Sequence, residues 1–234
     1  MNIRGIYKTS LINFPGRICT VLFAGKCNLR CRYCYNSELV ADSDELERYS
    51  VDYILSFMEK RKKLVSAVTL SGGEPTLDPN IEPFVKKLKA AGLAVKLDTN
   101  GLNPAVIERL ALQKLIDYAA VDIKTSPEKY NALTGTQVDF YLMKKTIELL
   151  AHFNINMEIR TTCVPGFAEL DDFEQIGHAI GHVSAYYIQQ FILSGKLLDN
   201  EMSSIKPYSL SRLQELANCV KTFSGTCSVR GDNI

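Results

Sequence analysis

The feature that most limits how this chain can fold is a repeated alternation, in which a short apolar, β-branched run gives way to an amphipathic stretch of about one helix length. Six such units are legible. The strands read Ile18 to Phe23, Ala67 to Leu70, Leu93 to Leu97, Tyr118 to Ile123, Asn156 to Thr161 and Ala185 to Phe191. The helices read 44–64, 80–91, 104–113, 139–151 and 171–180, with a last one over 210–218 before a Gly-containing tail. In the first helix Val51, Ile54, Leu55 and Met58 recur at i, i+3, i+4 and i+7, the stripe of a surface helix. Pro15-Gly16 signals a turn before the first strand, and Gly92 caps the second helix.

Strands that alternate with helices in this way pair in parallel through right-handed crossovers. A complete eightfold barrel takes about 250 residues. Six units in 234 residues therefore predict an α/β fold, an incomplete (β/α)6 TIM-like barrel of parallel strands with one open side. A single domain is expected over residues 1–234, with its core over about 18–191 and a C-terminal helix and tail over 192–234. A Rossmann arrangement is disfavoured, because no G-x-G-x-x-G follows the first strand.

The first strand runs straight into FAGKCNLRCRYCYN, residues 23–36, which spaces Cys27, Cys31 and Cys34 as C-x-x-x-C-x-x-C. Soft thiolates select iron-sulfur, zinc or copper(I), and no fourth local Cys or His closes a zinc site. A four-iron cluster on three thiolates keeps one iron open for chemistry. Zinc with a remote fourth ligand and scattered free thiols are the alternatives, although Lys26, Asn28, Arg30 and Arg32 make this poor composition for a buried run. Cys19 and Cys163 read as buried, inert thiols. At the C-terminal ends of the next strands stand Ser71-Gly72-Gly73-Glu74-Pro75, Asp98-Thr99-Asn100-Gly101 and Asp122-Ile123-Lys124, the positions at which α/β folds place ligands. The glycine pair allows close backbone approach, and Glu74 either receives an ammonium or anchors the turn. Asp98 and Asp122 are acids at the mouth that either bind a cation or form ion pairs, Asp122 with Lys124 on the same strand face.

The balance of 27 Lys and Arg against 26 Asp and Glu offers no overall field for nucleic acid or an anionic membrane. Basic runs at Lys60 to Lys63 and Lys86 to Lys89 read as solvated helix faces. No apolar run approaches the roughly 18 residues of a membrane span, and MNIRGIYKTS lacks a signal-peptide core. A cytoplasmic location is expected, which seven cysteines with three clustered also fit. His152, His178 and His182 read as exposed residues on or near helices, and Cys219 with Cys227 falls short of a cluster set. No nucleophile and base pattern for a hydrolase is present.

The cysteine array with Tyr33 and the GGEP segment resemble the radical S-adenosylmethionine (SAM) superfamily. The combination of TSLINFPG (9–16), CNLRCRYCYN (27–36), SGGEPTL (71–77), DTNG (98–101), VDIK (121–124) and the R-x-x-x-V-P-G of Arg160 to Gly166 resembles glycyl-radical-enzyme activases. Within them it is most similar to the anaerobic ribonucleoside-triphosphate reductase activating proteins. Asn13 stands where such activases commonly have an acid, and Tyr35 where His often follows the third cysteine.

The resemblance implies that Cys27, Cys31 and Cys34 hold a 4Fe-4S cluster whose open iron is chelated by SAM. Reductive cleavage would yield a 5′-deoxyadenosyl radical that takes a Cα hydrogen from a glycine of a partner glycyl radical enzyme. It further implies that Gly72, Gly73 and Glu74 receive the methionine amino group, and that Arg160 lies near the carboxylate or ribose. The segment around Gln189 falls at the adenine, and Tyr33 and Asn100 join the cofactor-binding set. Lys124 is expected to be an active-site cation, and the resemblance implies that Asp98, Thr99 and Asp122 help to hold a monovalent cation, Na+ or K+. A low-potential flavodoxin or ferredoxin is the implied electron donor. The other reading is a radical SAM enzyme acting on a small molecule, such as 7-carboxy-7-deazaguanine synthase.

Overall fold

The computed structural model describes residues 1–193, 195 and 197–231. The final three residues of the expected tail, with Ser194 and Lys196, lie outside the described residues. Eight strands form one sheet in the order β1 to β8, each beside its sequence neighbour. They are β1 (Ile3–Ser10), β2 (Cys19–Ala24), β3 (Ala67–Gly72), β4 (Ala94–Thr99), β5 (Tyr118–Asp122), β6 (Asn156–Cys163), β7 (Val183–Gln190) and β8 (Ser224–Arg230). From β2 onward every pairing is parallel. A sequential order without reversal is the winding of a barrel rather than a Rossmann sheet with a switch point. Because β1 and β8 are the two ends of the order, the barrel is open between them.

The six expected strands appear as β2 to β7, and the count is corrected by two. β1 pairs antiparallel with β2. Its apolar alternation is broken by Gly5, the buried Arg4 and the exposed Tyr7 and Lys8, and its pairing carries two register shifts, so no period-2 pattern marks it. β8 is an edge strand reading SGTCSVR, exposed along much of its length and with Val229 as its one large aliphatic residue. Edge strands need little apolar surface, which is why it reads as tail.

The helices cover the outer face of the sheet. They are α1 (Ser37–Ala41), α2 (Val51–Arg61), α3 (Ile81–Ala90), α4 (Pro104–Leu112), α5 (Tyr130–Thr134), α6 (Phe140–His152), α7 (Leu170–Ile180) and α8 (Leu210–Val220). The short α1 and α5 have no counterpart in the sequence reading. α2 starts later than its expected 44, because the Ser50 hydroxyl accepts the Tyr53 N–H at 3.1 Å and caps the helix there. Gly92 takes a φ of +79° just after α3, donating to the Lys89 carbonyl at 2.9 Å. None of the helices among the described residues is long and apolar enough to cross a membrane.

Alternate residues of each strand face inward, and the inner face is graded along the barrel axis. At the N-terminal ends of the strands Phe14, Cys19, Val21 and Ala67 form a small apolar floor, with Tyr118 packed against it. Phe14 comes from the loop after β1, its ring 6.1 Å from that of Tyr118. The loop is held there by the inward Thr69, whose hydroxyl donates to the Asn13 carbonyl at 3.2 Å. Above the floor the inner face turns ionic, and above that it opens into a cavity. Phe14→Ala is expected to cost about 3–5 kcal/mol of stability in urea unfolding, the value for emptying a buried aromatic site.

Candidate active site

The C-terminal ends of β2 to β7 all contribute to one cavity of about 250 Å3 at the mouth of the barrel. From the loop after β2 come Cys27, Cys31, Tyr33 and Cys34; from β3, Gly72, Gly73 and Glu74. β4 supplies Asp98, Thr99 and Asn100, β5 supplies Asp122 and the following Lys124, β6 supplies Arg160, and β7 supplies Gln189. All fourteen residues singled out from sequence line this one space. Leu29, Tyr35, Asn36, Val40, Ser71 and Thr162 line it too; Leu29, Tyr35, Asn36 and Ser71 stand in the motifs read from sequence without an assigned role, and Val40 and Thr162 were not singled out. Thr162 was reachable, since it stands two residues from Arg160 on the same inward face of β6.

The cysteine loop is held by backbone bonds on several sides. Lys26 N–H donates to the Leu39 carbonyl at 2.8 Å, and Arg30 and Arg32 N–H donate to Thr134 and Leu133 of α5 at 2.8 and 2.9 Å. On another side Leu198 N–H donates to the Cys34 carbonyl at 2.8 Å and Asp199 N–H to the Arg32 carbonyl at 2.9 Å. Arg32 also pairs with Asp199 at 2.5 Å and Glu201 at 2.9 Å. No sequence signal linked residues 198–201 to the cysteines, because the contact is nonlocal and largely backbone.

The three thiols are free of disulfides. Leu29 N–H donates to Cys27 Sγ at 3.4 Å. Burial pushes the Cys31 thiol up to about 12, and raises Cys27 as well. Among the described residues no three His, Cys, Asp or Glu side chains converge as on a single metal ion. Three separate thiols opening onto one cavity, without a fourth, fit a cluster in which each thiolate takes its own iron better than they fit a tetrahedral zinc site.

The glycines of β3 have a steric reason. Gly73 N–H donates to the Ala24 carbonyl at 2.9 Å and Glu74 N–H to the Lys26 carbonyl at 2.8 Å, clamping the strand end to the entrance of the cysteine loop. A Cβ on Gly73 would lie 1.9 Å from the Lys26 carbonyl oxygen, and one on Gly72, at φ +105°, would press on the Ala24 backbone at 2.7 Å. Glu74 is buried and anchors this turn. Its Oε1 accepts the Thr76 N–H at 3.1 Å and hydroxyl at 2.6 Å and the Thr99 hydroxyl at 2.8 Å, while Oε2 accepts the Asn100 N–H at 2.7 Å. Burial pushes its carboxyl above the ordinary range, partly offset by these hydrogen bonds. Oε2, with one donor, keeps acceptor capacity that Oε1 has spent.

The two mouth acids carry protein counter-ions. Arg160 bridges them, Nε to Asp122 Oδ1 at 2.7 Å and a terminal nitrogen to Asp98 Oδ2 at 3.3 Å. Lys124 pairs with Asp122 at 3.1 Å, as the i, i+2 spacing allowed, and Lys96 pairs with Asp98 at 2.5 Å. Thr99 turns its hydroxyl to Glu74. Of the two readings of these acids, the described arrangement is the ion-paired one. Although burial opposes it, Arg160 and Lys124 hold the Asp122 carboxyl well below the usual range, and Asp122 in turn keeps Lys124 charged. Tyr33 is buried edge-on to Phe191 at 6.4 Å, and among the described residues its hydroxyl has no hydrogen-bond partner. The three histidines are exposed and away from the cavity.

The model describing the radical SAM superfamily matches residues 21–180, and this chain belongs to that superfamily. Within it the chain falls in a branch like that of the glycyl-radical-enzyme activases. It is 31% identical, over 99% of its length and 96% of the other's, to a protein of Methanocaldococcus jannaschii provisionally named a glycyl-radical enzyme activating enzyme. It is 30% identical to the pyruvate formate-lyase-activating enzyme of Staphylococcus epidermidis, over 76% of this chain and 75% of that one. The crystal structure of Streptococcus suis SuiB bound to precursor peptide SuiA superposes on 90% of the chain with a TM-score of 0.67 at 15% identity, a likeness of fold. The chain spans about half the length of SuiB, 48%.

Gly73→Ala is expected to displace the cysteine loop at a cost of about 3 kcal/mol, the upper end for overpacking. Thermal unfolding should show a Tm lower by roughly 6–12 °C for a chain of this size. Gly92→Ala, at a position with open space around it, should lose about 1 kcal/mol through backbone conformation alone.

Proposed function

We propose that this radical SAM enzyme activates a glycyl radical enzyme, with the anaerobic ribonucleoside-triphosphate reductase as its partner. The observation that carries the reading is the single cavity where three unpaired thiols meet the GGE turn and the Arg160–Lys124 cations at the mouth of an open barrel. Similarity along nearly the whole chain to a provisionally named activase supports the choice of reaction.

Cys27, Cys31 and Cys34 would hold a 4Fe-4S cluster, and SAM bound there would supply a 5′-deoxyadenosyl radical on one-electron reduction by a flavodoxin or ferredoxin. The protein's share is binding, orientation and exclusion. The β3 end, with Gly72, Gly73 and the free capacity of Glu74 Oε2, would take the amino group. Arg160, with Lys124 beside it, would take the carboxylate as a charge-assisted pair. Tyr33, Asn100 and Gln189 would border the nucleoside. A monovalent cation between Asp98 and Asp122 would require Arg160 to shift from its bridging position, which binding of a carboxylate by Arg160 would favour. The gap between β1 and β8 suits a protein substrate, since an extended loop can enter from the side.

After anaerobic iron-sulfur reconstitution and reduction, the intact chain should produce 5′-deoxyadenosine from SAM. Cys31→Ala should reduce that product by at least about 100-fold, as expected when the reacting centre is lost. With the reductase present, electron paramagnetic resonance should detect a glycyl radical. Product formation without a glycyl radical in any glycyl enzyme of the same genome would move the assignment to a small-molecule substrate. Failure to assemble a cluster would sink the reading altogether.

A further inference from the structure

Beneath the cavity lies an ionic group that the proposed chemistry does not use. Lys96 and Glu158 are both 1% exposed, on inward positions of β4 and β6 to either side of β5. Lys96 reaches up to Asp98 at 2.5 Å and across to Glu158 Oε1 at 3.7 Å. Arg160, the bridge between the mouth acids, also has a terminal nitrogen 3.8 Å from Glu158 Oε1. Glu158 is thus an anion within reach of two cations that Asp98 needs. Closer to it than either of these cations is Arg230, from β8. Arg230 lies over the Tyr187 ring, 3.3 Å from its centroid, and donates to both oxygens of Glu158, at 3.0 Å to Oε1 and 2.8 Å to Oε2. The Tyr118 hydroxyl adds a weaker bond to Oε2 at 3.3 Å.

We propose that Arg230 is a positioning residue for Arg160: by engaging both oxygens of Glu158, it keeps that carboxylate from drawing Arg160 and Lys96 down the barrel. The competition is one of distance and charge. A buried carboxylate deprived of its two-pronged partner recruits the nearest cations, because leaving it unpaired costs more than the shift. The nearest are Arg160 and Lys96, whose movement would strip Asp98 of its partners and withdraw the guanidinium from the cavity wall. β8, half exposed and far along the chain from the cysteines, would in this way set the affinity of the site. This inference rests on the reading that Arg160 receives the carboxylate of SAM.

The test is equilibrium binding of SAM to the cluster-loaded, unreduced protein, so that no turnover intervenes, in wild type, R230M, E158Q and R230M/E158Q. Cluster absorbance and Tm are recorded for each. R230M is expected to weaken SAM binding about 10-fold, equivalent to about 1.4 kcal/mol, with cluster absorbance unchanged. E158Q and R230M/E158Q are both expected to bind within about 2-fold of wild type, since removing the competing anion removes the need for Arg230. A purely structural role for Arg230 would not be rescued by a second buried substitution. R230M with wild-type affinity, or a double variant as weak as R230M, would overturn the proposal. If R230M fails to fold, R230K, which keeps the charge but not the two-pronged geometry, should show a smaller loss that E158Q again reverses; R230K at wild-type affinity would also overturn it. Wild-type protein that carries its cluster yet does not bind SAM would bring down the functional reading and this inference together, whereas failure among the variants alone removes only this one.

Discussion

Arg160 ties three strands together at the point where the barrel opens. Its guanidinium, projecting from β6, is shared between Asp98 of β4 and Asp122 of β5, so the strand ends are joined by side chains as well as by the ladder. The pairs are largely withdrawn from water, where removing one partner of such a set commonly costs about 3–5 kcal/mol. Other charged groups follow from this choice. Asp98 beside one cation draws Lys96 below it, and Lys96 draws Glu158, so an ionic column descends into a barrel that would otherwise be filled by aliphatic layers. The column is not the cheapest way to fill that space, since apolar packing of equal volume is often as stable. Within it, Asp98 and Asp122 fix the position of a donor-rich side chain at the cavity wall.

The two faces of the sheet divide the labour. The outer face, under the helices, is apolar and carries such residues as Leu22, Leu70, Leu97, Val121 and Ile188, all fully buried. The inner face keeps hydrophobic packing to its floor, where Phe14 closes the N-terminal end. Stability from burial therefore comes mostly from outside the barrel, and the inside is left free for polar chemistry. Residues facing the cavity can be changed in character without touching the helical layer, which is how one architecture accommodates different ligands.

Much of this was legible because the information was local. β2 to β7 and the longer helices announce themselves by periodicity, and the cavity residues by their place immediately after an apolar run. Lys96 shows the boundary of that kind of reading. It lies inside the strand reading AVKLDT, two residues before Asp98 on the same inward face, and the period-2 rule alone would have put the two together. Glu158 and Arg160 are related in the same way on β6. Arg230 had no such local sign. Its importance comes from a contact with a residue on the next strand but one, from a strand whose composition resembles a tail. Likewise, Gly73 as a clearance depends on where the Lys26 carbonyl lies, and tertiary packing alone determines that.

The cysteine loop is anchored by backbone hydrogen bonds to α1, to α5 and to residues 198–199. In small zinc domains the polypeptide around the ligands has few such anchors, and it collapses or unravels with its ion. Here one short segment is the meeting point of three stretches that lie far apart along the chain. A change in the length or packing of any of the three is therefore transmitted to the spacing of the thiols, so the loop works as a gauge of whether the remote parts of the chain have come together.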